Sequence, residues 1–171
     1  MQKPPDYARR TVLAGLVTAA VSLNACSNHA GIDSPAPRVS FKTLKNAEPL
    51  DLAALGKPLL INFWSTSCAV CVKEMPHLAD TYRQYHPKGF EMVAVSMQSD
   101  RPSDVLEMSE AGKWPFKVAL DIDGTVSEAF GRIRVTPTSF LIDQNGTVVK
   151  KIIGEINLPA LGKELERLMQ T

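Results

Sequence analysis

The chain has 171 residues, of which 44% are hydrophobic and 22% are charged, and its formal net charge is +1. This length and composition are those of one globular domain that can bury its own core without disulfide staples. A near-neutral charge with no basic run or acidic tail gives no indication of nucleic-acid binding, and the three cysteines are too few for a disulfide scaffold.

The first 25 residues have the pattern of a secretory signal peptide. Lys3, Arg9 and Arg10 form a positive start, and an uncharged apolar stretch covers residues 11–23. That stretch is shorter than the about 20 residues that a membrane-spanning helix needs. We therefore expect residues 1–25 to be removed on export, and the pair Arg9-Arg10 leaves a twin-arginine signal open as an alternative.

The sequence Leu23-Asn24-Ala25-Cys26 resembles a bacterial lipobox. The resemblance implies cleavage after Ala25 and lipidation of Cys26. The protein would then be a membrane-anchored lipoprotein on the periplasmic side of the bacterial cell envelope. An ordinary signal peptide that leaves Cys26 as a free thiol is the alternative.

Residues 26–38 are interpreted as the lipidated cysteine followed by a linker. The stretch is polar and contains Gly31, Pro35 and Pro37. This composition is typical of a flexible tether, which would hold the domain close to the membrane surface. The domain proper is then expected over residues 39–171.

Residues 39–171 alternate between apolar runs typical of strands and amphipathic stretches typical of helices. The predicted order is β-β-β-α-β-α-β-α-β-β-α, in which the first two strands pair and Asn145-Gly146 joins the last two as a hairpin. Such an alternation predicts a mixed central sheet with helices on both faces. Strands are predicted at residues 39–44, 46–50, 58–64, 90–97, 116–120, 139–142 and 147–153, and helices from residue 68 onward and at 102–111, 126–130 and 158–169, with one helical turn at 51–55.

Cys68 and Cys71 follow a predicted central strand and open a helix. Residues three apart lie on the same side of a helix, so the two sulfurs can approach bonding distance. The free N–H groups and the dipole at a helix N-terminus stabilise a thiolate, which is the nucleophile in disulfide exchange. We therefore interpret Cys68 as the nucleophile and Cys71, one turn inward, as the resolving thiol of a redox-active disulfide.

The cysteine pair allows other interpretations as well. A structural zinc site needs four ligands, and the nearest histidines are His77 and His86 while Cys26 lies in the N-terminal segment. A structural disulfide that closes a two-residue loop adds little stability. A copper site that uses both thiolates and a histidine stays open, as does an adaptor with an idle pair. We expect no resident metal and no cofactor other than the disulfide itself.

Two blocks of sequence carry a resemblance to a known family. The first is NFWSTSCAVC at residues 62–71, continued by KEMP at residues 73–76, and the second combines residues 121–130 with VTPTSFLID at residues 135–143. They resemble the TlpA-like membrane-anchored thiol–disulfide oxidoreductases of bacteria, with the cytochrome-maturation thioredoxins as close cousins. The resemblance covers about residues 39–170. It implies a thioredoxin-like α/β fold, with a central mixed sheet flanked by helices and an N-terminal β-hairpin extension.

The same resemblance implies roles for four further residues. Pro137 would be a cis-proline that faces the cysteine pair, and Thr136 before it would offer backbone groups to an extended substrate. Glu74 would assist proton transfer around Cys71, and Trp64 would lie beside the pair and contribute to substrate binding. The alternatives are a turn proline, a solvated helix glutamate and a core tryptophan.

The sequence also departs from the family pattern. Ala69-Val70 stands where Gly-Pro or Glu-Pro is usual between the cysteines, so the reduction potential cannot be carried over. Ser67 replaces a tryptophan that often precedes the first cysteine, and Asn62 stands where thioredoxin has a buried acid. Ile61 and Ser65 occupy the Pro and Thr positions of peroxidase relatives, which argues against a peroxiredoxin.

The resemblance implies dithiol–disulfide exchange on exported proteins, more in the direction of reduction than of oxidation. Electrons would come from a membrane thiol transporter. Expected targets are the haem-binding cysteines of apocytochrome c, or copper-site cysteines of respiratory oxidases or their chaperones. We expect a monomer that binds no nucleic acid. The alternative function is a copper-binding chaperone module that uses the same cysteine pair.

Overall fold

The computed structural model describes residues 1–2, 30–44 and 56–170. The predicted signal peptide, Cys26 and the predicted elements at residues 46–50 and 51–55 lie outside these residues. The strands are β1 (Ser34–Pro35), β2 (Lys42–Thr43), β3 (Leu59–Trp64), β4 (Glu91–Ser96), β5 (Lys117–Leu120), β6 (Thr138–Ile142) and β7 (Thr147–Ile153). The helices are α1 (Ala69–Tyr85), α2 (Pro102–Ala111), α3 (Thr125–Ala129) and α4 (Leu158–Met169), and a 3-10 turn covers His86–Lys88.

The described strands form one mixed sheet in the order β1-β7-β6-β3-β4-β5-β2. β3, β4 and β5 run parallel, whereas β6, β7 and the two edge strands pair antiparallel with their neighbours. The mixed α/β sheet expected from the sequence is therefore confirmed. All six residues of β3 are buried, as is typical of a central strand that is covered on both faces.

Two hydrophobic cores lie on opposite faces of this sheet. Side chains alternate along a strand, so Leu60 and Trp64 of β3 belong to one core, and Ile61 and Phe63 belong to the other. The first core is covered by α1, α2 and α4, and the second by α3 and by residues of the N-terminal segment that include Phe41. Helices therefore cover both faces of the sheet, as predicted.

Most helix and strand positions agree with the sequence-based predictions. The bounds of α2 and α4 are those predicted, and the side chain of Asn157 caps α4 by accepting a hydrogen bond from the N–H of Ala160 at 3.0 Å. The β6–β7 hairpin is also present, and the carboxylate of Asp143 accepts hydrogen bonds from the backbone N–H groups of Asn145 and Thr147. These elements carry strong local signals, which explains the agreement.

The prediction of a flexible linker up to residue 38 is wrong for its described part. The N–H of Asp33 donates to the carbonyl of Val148 at 2.8 Å, and the N–H of Ala36 donates to the carbonyl of Gly146 at 2.8 Å. β1 therefore forms an edge strand on β7, and Ala30 just before it is buried.

The physical reason for this error is that edge pairing is not a local property. The outer edge of β7 would otherwise present unpaired backbone groups, and residues 33–36 bind to them. Pro35 is compatible with this position because an edge strand tolerates a missing N–H group. Ala36 and Val39 also pack against the second core, so the segment is held by apolar contacts as well.

The predicted N-terminal hairpin is only partly described. Its first strand is shorter than predicted and covers Lys42–Thr43, which pairs antiparallel with β5. The segment between the two edge strands includes the fully buried Phe41 and so contributes to the second core. Its expected partner at residues 46–50 lies outside the described residues, so the hairpin itself stays a prediction.

Candidate active site

The N-terminus of α1 holds the two cysteines in contact. Cys68 is the N-cap residue, with extended backbone angles, and its Sγ atom accepts a hydrogen bond from the N–H of Cys71 at 3.2 Å. The two Sγ atoms lie 2.11 Å apart and form a disulfide, with 5.2 Å between the Cα atoms. Strand β3 ends at Trp64, so the pair lies just past the carboxyl edge of the parallel strands.

The two cysteines differ in exposure. Cys68 is half-buried, whereas only 1% of Cys71 is exposed. A thiol that attacks a protein disulfide must be reachable, and a thiol that resolves the mixed disulfide acts from within. The arrangement is therefore the one that the roles assigned to Cys68 and Cys71 require.

A loop from the other side of the sheet faces the disulfide. The peptide bond Thr136-Pro137 is cis, as the family resemblance implied, and the carbonyl oxygen of Thr136 lies 3.6 Å from the Sγ of Cys68. The loop is fixed by two hydrogen bonds, from the Oγ1 of Thr138 to the carbonyl of Val135 at 2.7 Å and from the N–H of Gly154 to the carbonyl of Pro137 at 2.8 Å. The backbone of Thr136 is thus held next to the reactive sulfur.

Glu74 is a buried acid on the cysteine-bearing helix. Only 2% of it is exposed, which excludes the alternative of a solvated helix glutamate. Its Oε1 accepts a hydrogen bond from the N–H of Ile156, and its buried Oε2 has no hydrogen-bond partner among the described residues. Burial raises the pKa of Glu74, the hydrogen bond from Ile156 opposes this, and the charge of Glu155 adds to the increase. Glu74 lies three residues after Cys71, so the two share one face of α1.

The assignment of Trp64 to substrate binding is wrong. The side chain is completely buried and packs edge-to-face on Trp114, with 5.1 Å between the ring centroids. It belongs to the same hydrophobic core as Cys71, against which Cys68 also packs. Full burial on the last residue of a central strand makes Trp64 part of the packing under the pair, out of reach of a substrate.

Asn62 is buried on the same face of β3 as Trp64. Its Nδ2 donates to the Oγ of Ser139 on β6 at 2.9 Å. A neutral amide cannot exchange a proton at physiological pH. Among the residues that the resemblance placed near the pair, Glu74 is therefore the buried group that can titrate.

Sequence reasoning missed the contacts that hold the turn before Cys68. The Oδ1 of Asp100 accepts hydrogen bonds from the Oγ of Ser65 at 2.7 Å, from the Oγ1 of Thr66 at 2.9 Å and from the N–H of Thr66 at 3.2 Å. Asp100 follows β4, which is the parallel neighbour of β3. The available signal was the placement of hydroxyl residues and an acid just past the carboxyl ends of two adjacent strands.

Three apolar side chains on the segments next to the disulfide and the cis-proline are exposed. Val70 lies between the cysteines and is 47% exposed, and Val135 lies next to Thr136 and is 57% exposed. Ile153 is 67% exposed and pairs with Thr138, directly beyond the cis-proline. These three exposed apolar side chains lie on the segments that carry the cysteine pair, the cis-proline and the strand paired next to it.

The described residues contain neither a metal-binding cluster nor a membrane-spanning helix. In the described part of the chain, no group of three or more His, Cys, Asp or Glu side chains is placed to hold a metal ion. None of the described helices has both the length and the apolar character needed to cross a membrane.

Comparison with known proteins gives concordant results. The Redoxin family matches residues 32–165. Thiol-disulfide oxidoreductase ResA of Geobacillus thermodenitrificans (strain NG80-2) is 30% identical over 174 residues, which cover 98% of this chain and 99% of that protein.

Solved structures agree with these relatives. The solution structure of a candidate thioredoxin from Neisseria meningitidis has a TM-score of 0.74 and 36% identity, and covers 81% of this chain and 93% of the other. The crystal structure of a thiol:disulfide interchange protein of the thioredoxin family from Chlorobium tepidum TLS has a TM-score of 0.72 and 25% identity. The match covers 81% of this chain and 98% of the other.

These similarities cover the sheet, the cysteine-bearing helix and the loop that faces it. They agree with the local geometry, in which a disulfide caps a helix beside a cis-proline. The chain therefore belongs to the Redoxin family, as a TlpA-like thiol–disulfide oxidoreductase with a thioredoxin-like fold and the redox pair Cys68–Cys71.

Proposed function

We propose that this oxidoreductase reduces disulfides of exported proteins in the bacterial cell envelope, with Cys68 as the nucleophile and Cys71 as the resolving thiol. The observation that carries the proposal is the asymmetry of the pair. Cys68 is reachable at the N-terminus of α1 and faces the backbone of Thr136, while Cys71 is buried behind it.

The proposed reaction begins from the dithiol form. The thiolate of Cys68 attacks one sulfur of the substrate disulfide, a mixed disulfide forms, and the other substrate sulfur leaves as a thiolate that takes up a proton. Cys71 then loses its proton and attacks the Sγ of Cys68. The Cys68–Cys71 disulfide forms, the bond between Cys68 and the substrate sulfur breaks, and that sulfur leaves as a thiolate that takes up a proton. Two electrons and two protons pass from the dithiol to the substrate.

The N-terminus of α1 favours the first step. The N–H of Cys71 points at the Sγ of Cys68 at 3.2 Å, and the other free N–H groups of the first helical turn lie nearby. Such donors stabilise a thiolate more than a thiol, which favours attack by Cys68.

Glu74 supports the second step. Cys71 must lose a proton inside the protein, where water does not carry it away. A carboxyl group whose pKa is raised by burial can accept this proton more readily than an ordinary carboxylate. Its position one turn after Cys71 on the same face of α1 suits this role.

The surface around Cys68 supports a polypeptide substrate. The backbone of Thr136, held in place next to Pro137, can pair with an extended segment that carries the substrate cysteine. The exposed side chains of Val70, Val135 and Ile153 would contact apolar side chains next to that cysteine.

The cellular setting of the proposal comes from the N-terminal segment and from the family resemblance. A lipid on Cys26 would anchor the protein to the membrane, and a membrane thiol transporter would return electrons to the pair. Apocytochrome c cysteines that bind haem, or cysteines of copper sites, are the proposed targets. The exchange itself needs no cofactor beyond the cysteine pair, and we propose a monomer as the active form.

Trapping in cells tests the assignment of the two cysteines. We expect Cys71→Ala to accumulate in mixed disulfides with partner proteins, because the attack by Cys68 still occurs but is not resolved. The matched variant Cys68→Ala should trap nothing. The measurement is a non-reducing gel with and without reductant, followed by identification of the trapped proteins by mass spectrometry.

The same pair of variants separates exchange from the copper alternative. If the pair only carried copper, each variant would lose the metal and neither would trap a partner. Equal trapping by the two variants would contradict the assigned roles.

A further inference from the structure

The turn that leads into Cys68 is held by one carboxylate from the loop after β4. The Oδ1 of Asp100 accepts three hydrogen bonds from two consecutive residues, Ser65 and Thr66. Its Oδ2 is buried and has no hydrogen-bond partner among the described residues. Among the described residues, every hydrogen bond that this half-buried carboxylate accepts therefore comes from the turn.

A chain of contacts continues from this carboxylate to the reactive cysteine. The Oγ of Ser65 lies 3.0 Å from the Oγ of Ser67 and accepts the N–H of Ser67 at 3.3 Å. The carbonyl of Ser65 accepts the N–H of Cys68 at 3.0 Å. Ser65 thus connects Asp100 with the backbone of Cys68, which is the N-cap residue of α1.

Asp100 is itself placed by the sheet. The N–H of Met97 donates to the carbonyl of Trp64 at 3.1 Å, which extends the pairing of β3 with β4 by one step, and the N–H of Asp100 donates to the carbonyl of Met97 at 3.0 Å. The carboxylate therefore has a defined position relative to the end of β3, from which the Cys68 turn departs.

We propose that Asp100 is a positioning residue for disulfide exchange, which acts through Ser65 and Thr66 to hold the Cys68 sulfur in its reactive place. The side chains of Ser65 and Thr66 and their common acceptor Asp100 supply this bracing. The inference rests on the proposed exchange reaction of Cys68. It adds to that reaction a residue outside the cysteine motif that controls how fast the sulfur reacts.

Three substitutions test the proposal. Asp100→Asn keeps an oxygen acceptor for the turn and removes the charge, and Asp100→Ala removes both. Asp104→Asn is the matched control, because Asp104 lies nearby on α2 and its side chain bonds to Arg101 and Ser103. The rate of attack of the reduced proteins on oxidised glutathione is measured across pH. The plateau gives the reactivity of the thiolate, and the midpoint gives the pKa of Cys68.

We expect Asp100→Ala to lower the plateau rate about tenfold, because a loosened turn no longer holds the sulfur in line for attack. Asp100→Asn should stay within about threefold of the wild type at the plateau, and its midpoint should shift to lower pH because a negative charge near the thiolate is lost. Asp104→Asn should change neither value.

A merely structural role would give a different pattern. Asp100→Ala would then lower the midpoint of urea unfolding but leave the plateau rate and the Cys68 pKa at the wild-type values, and this result would overturn the proposal. A wild-type protein that fails to react with oxidised glutathione would overturn the proposed function together with this inference. Unchanged rates in variants of a reactive protein would overturn this inference alone.

Discussion

Glu74 illustrates how a single buried carboxyl can serve chemistry at a cost in stability. One of its oxygens is bonded to the N–H of Ile156, and the other is buried without a partner among the described residues. Burial raises its pKa, so ionisation of Glu74 is harder in the folded protein than in the unfolded chain. Its contribution to stability is therefore fully present below the ordinary pKa of a glutamate and is lost as the pH rises through the raised value.

The pH dependence of this stability contribution predicts the effect of Glu74→Gln. At pH 7 the variant should be more stable than the wild type by about 1 kcal/mol, because a neutral amide still accepts from Ile156 but does not bury a charge. The gain should disappear below about pH 3.5, where Glu74 is protonated in both states. Urea unfolding of the oxidised proteins at both pH values measures this.

Glu155→Gln is the matched control for this prediction, because Glu155 is exposed and adjacent in space. It should change the free energy of unfolding much less at either pH.

The Glu74→Gln variant should also exchange disulfides at least about tenfold more slowly than the wild type, because proton transfer from Cys71 loses its acceptor. A Glu74→Gln variant that is less stable than the wild type at pH 7 would show that the buried Glu74 does not cost stability, and would contradict this prediction.

At the scale of the elements, α1 is fixed to the sheet by a buried polar cluster far from the disulfide. The carboxylate of Glu91 on β4 accepts hydrogen bonds from the hydroxyl of Tyr82 at 2.9 Å and from the Nζ of Lys117 at 2.7 Å. Burial alone would raise the pKa of Glu91, but these bonds and one from the N–H of Met92 outweigh it and lower the pKa. The stability that this cluster contributes is present above the ordinary pKa of a glutamate and is lost as the pH falls through the lowered value.

Glu91→Gln should therefore change the free energy of unfolding at pH 7 in the opposite direction to Glu74→Gln. We expect a loss of about 1 kcal/mol in the free energy of unfolding at pH 7, because the ion pair with Lys117 is broken, and the Lys117 side chain is 40% exposed, so solvent screens the pair. The loss should vanish as the pH falls through the lowered pKa of Glu91, because the wild-type carboxyl is then also protonated. Glu128→Gln, which removes only an exposed pair with Arg132, should stay within about 0.5 kcal/mol of the wild type. An equal loss at pH 7 and below the lowered pKa would refute the electrostatic origin.

The elements also show which features a sequence can predict. α2, α4 and the β6–β7 hairpin follow from caps, periodicity and the turn at Asn145-Gly146, all of which are local. The cysteine pair follows equally from a local motif at a strand-to-helix junction. The Asp100 contacts and the docking of β1 depend on residues that are distant in sequence, and no local pattern contains them.

At the scale of the whole molecule, the folded unit begins earlier than residue 39. Ala30 is buried and β1 is bonded to β7, so residues 30–38 belong to the domain rather than to a tether. The Redoxin match, which begins at residue 32, agrees with this boundary. Any tether from Cys26 is accordingly shorter than the composition suggested.

The boundary can be tested by truncation. A chain of residues 39–171 should be less stable than one of residues 30–171 by about 2 kcal/mol, because it loses the β1 hydrogen bonds and the apolar contacts of Ala30 and Ala36. Chains that begin at residues 27 and 30 should unfold alike in urea. Equal stability of all three chains would mean that residues 30–38 contribute no net stability.

The reduction potential of the Cys68–Cys71 couple tests the central claim most directly. Residues 27–171 are equilibrated against a series of glutathione or dithiothreitol redox buffers, and the fraction of oxidised pair is read from mass spectra after alkylation. A reductase that depends on a membrane electron supply predicts a value near or below that of thioredoxin, about −270 mV. A value near that of a strong periplasmic oxidant, about −120 mV, would contradict the account and would mean that the protein forms disulfides instead of reducing them.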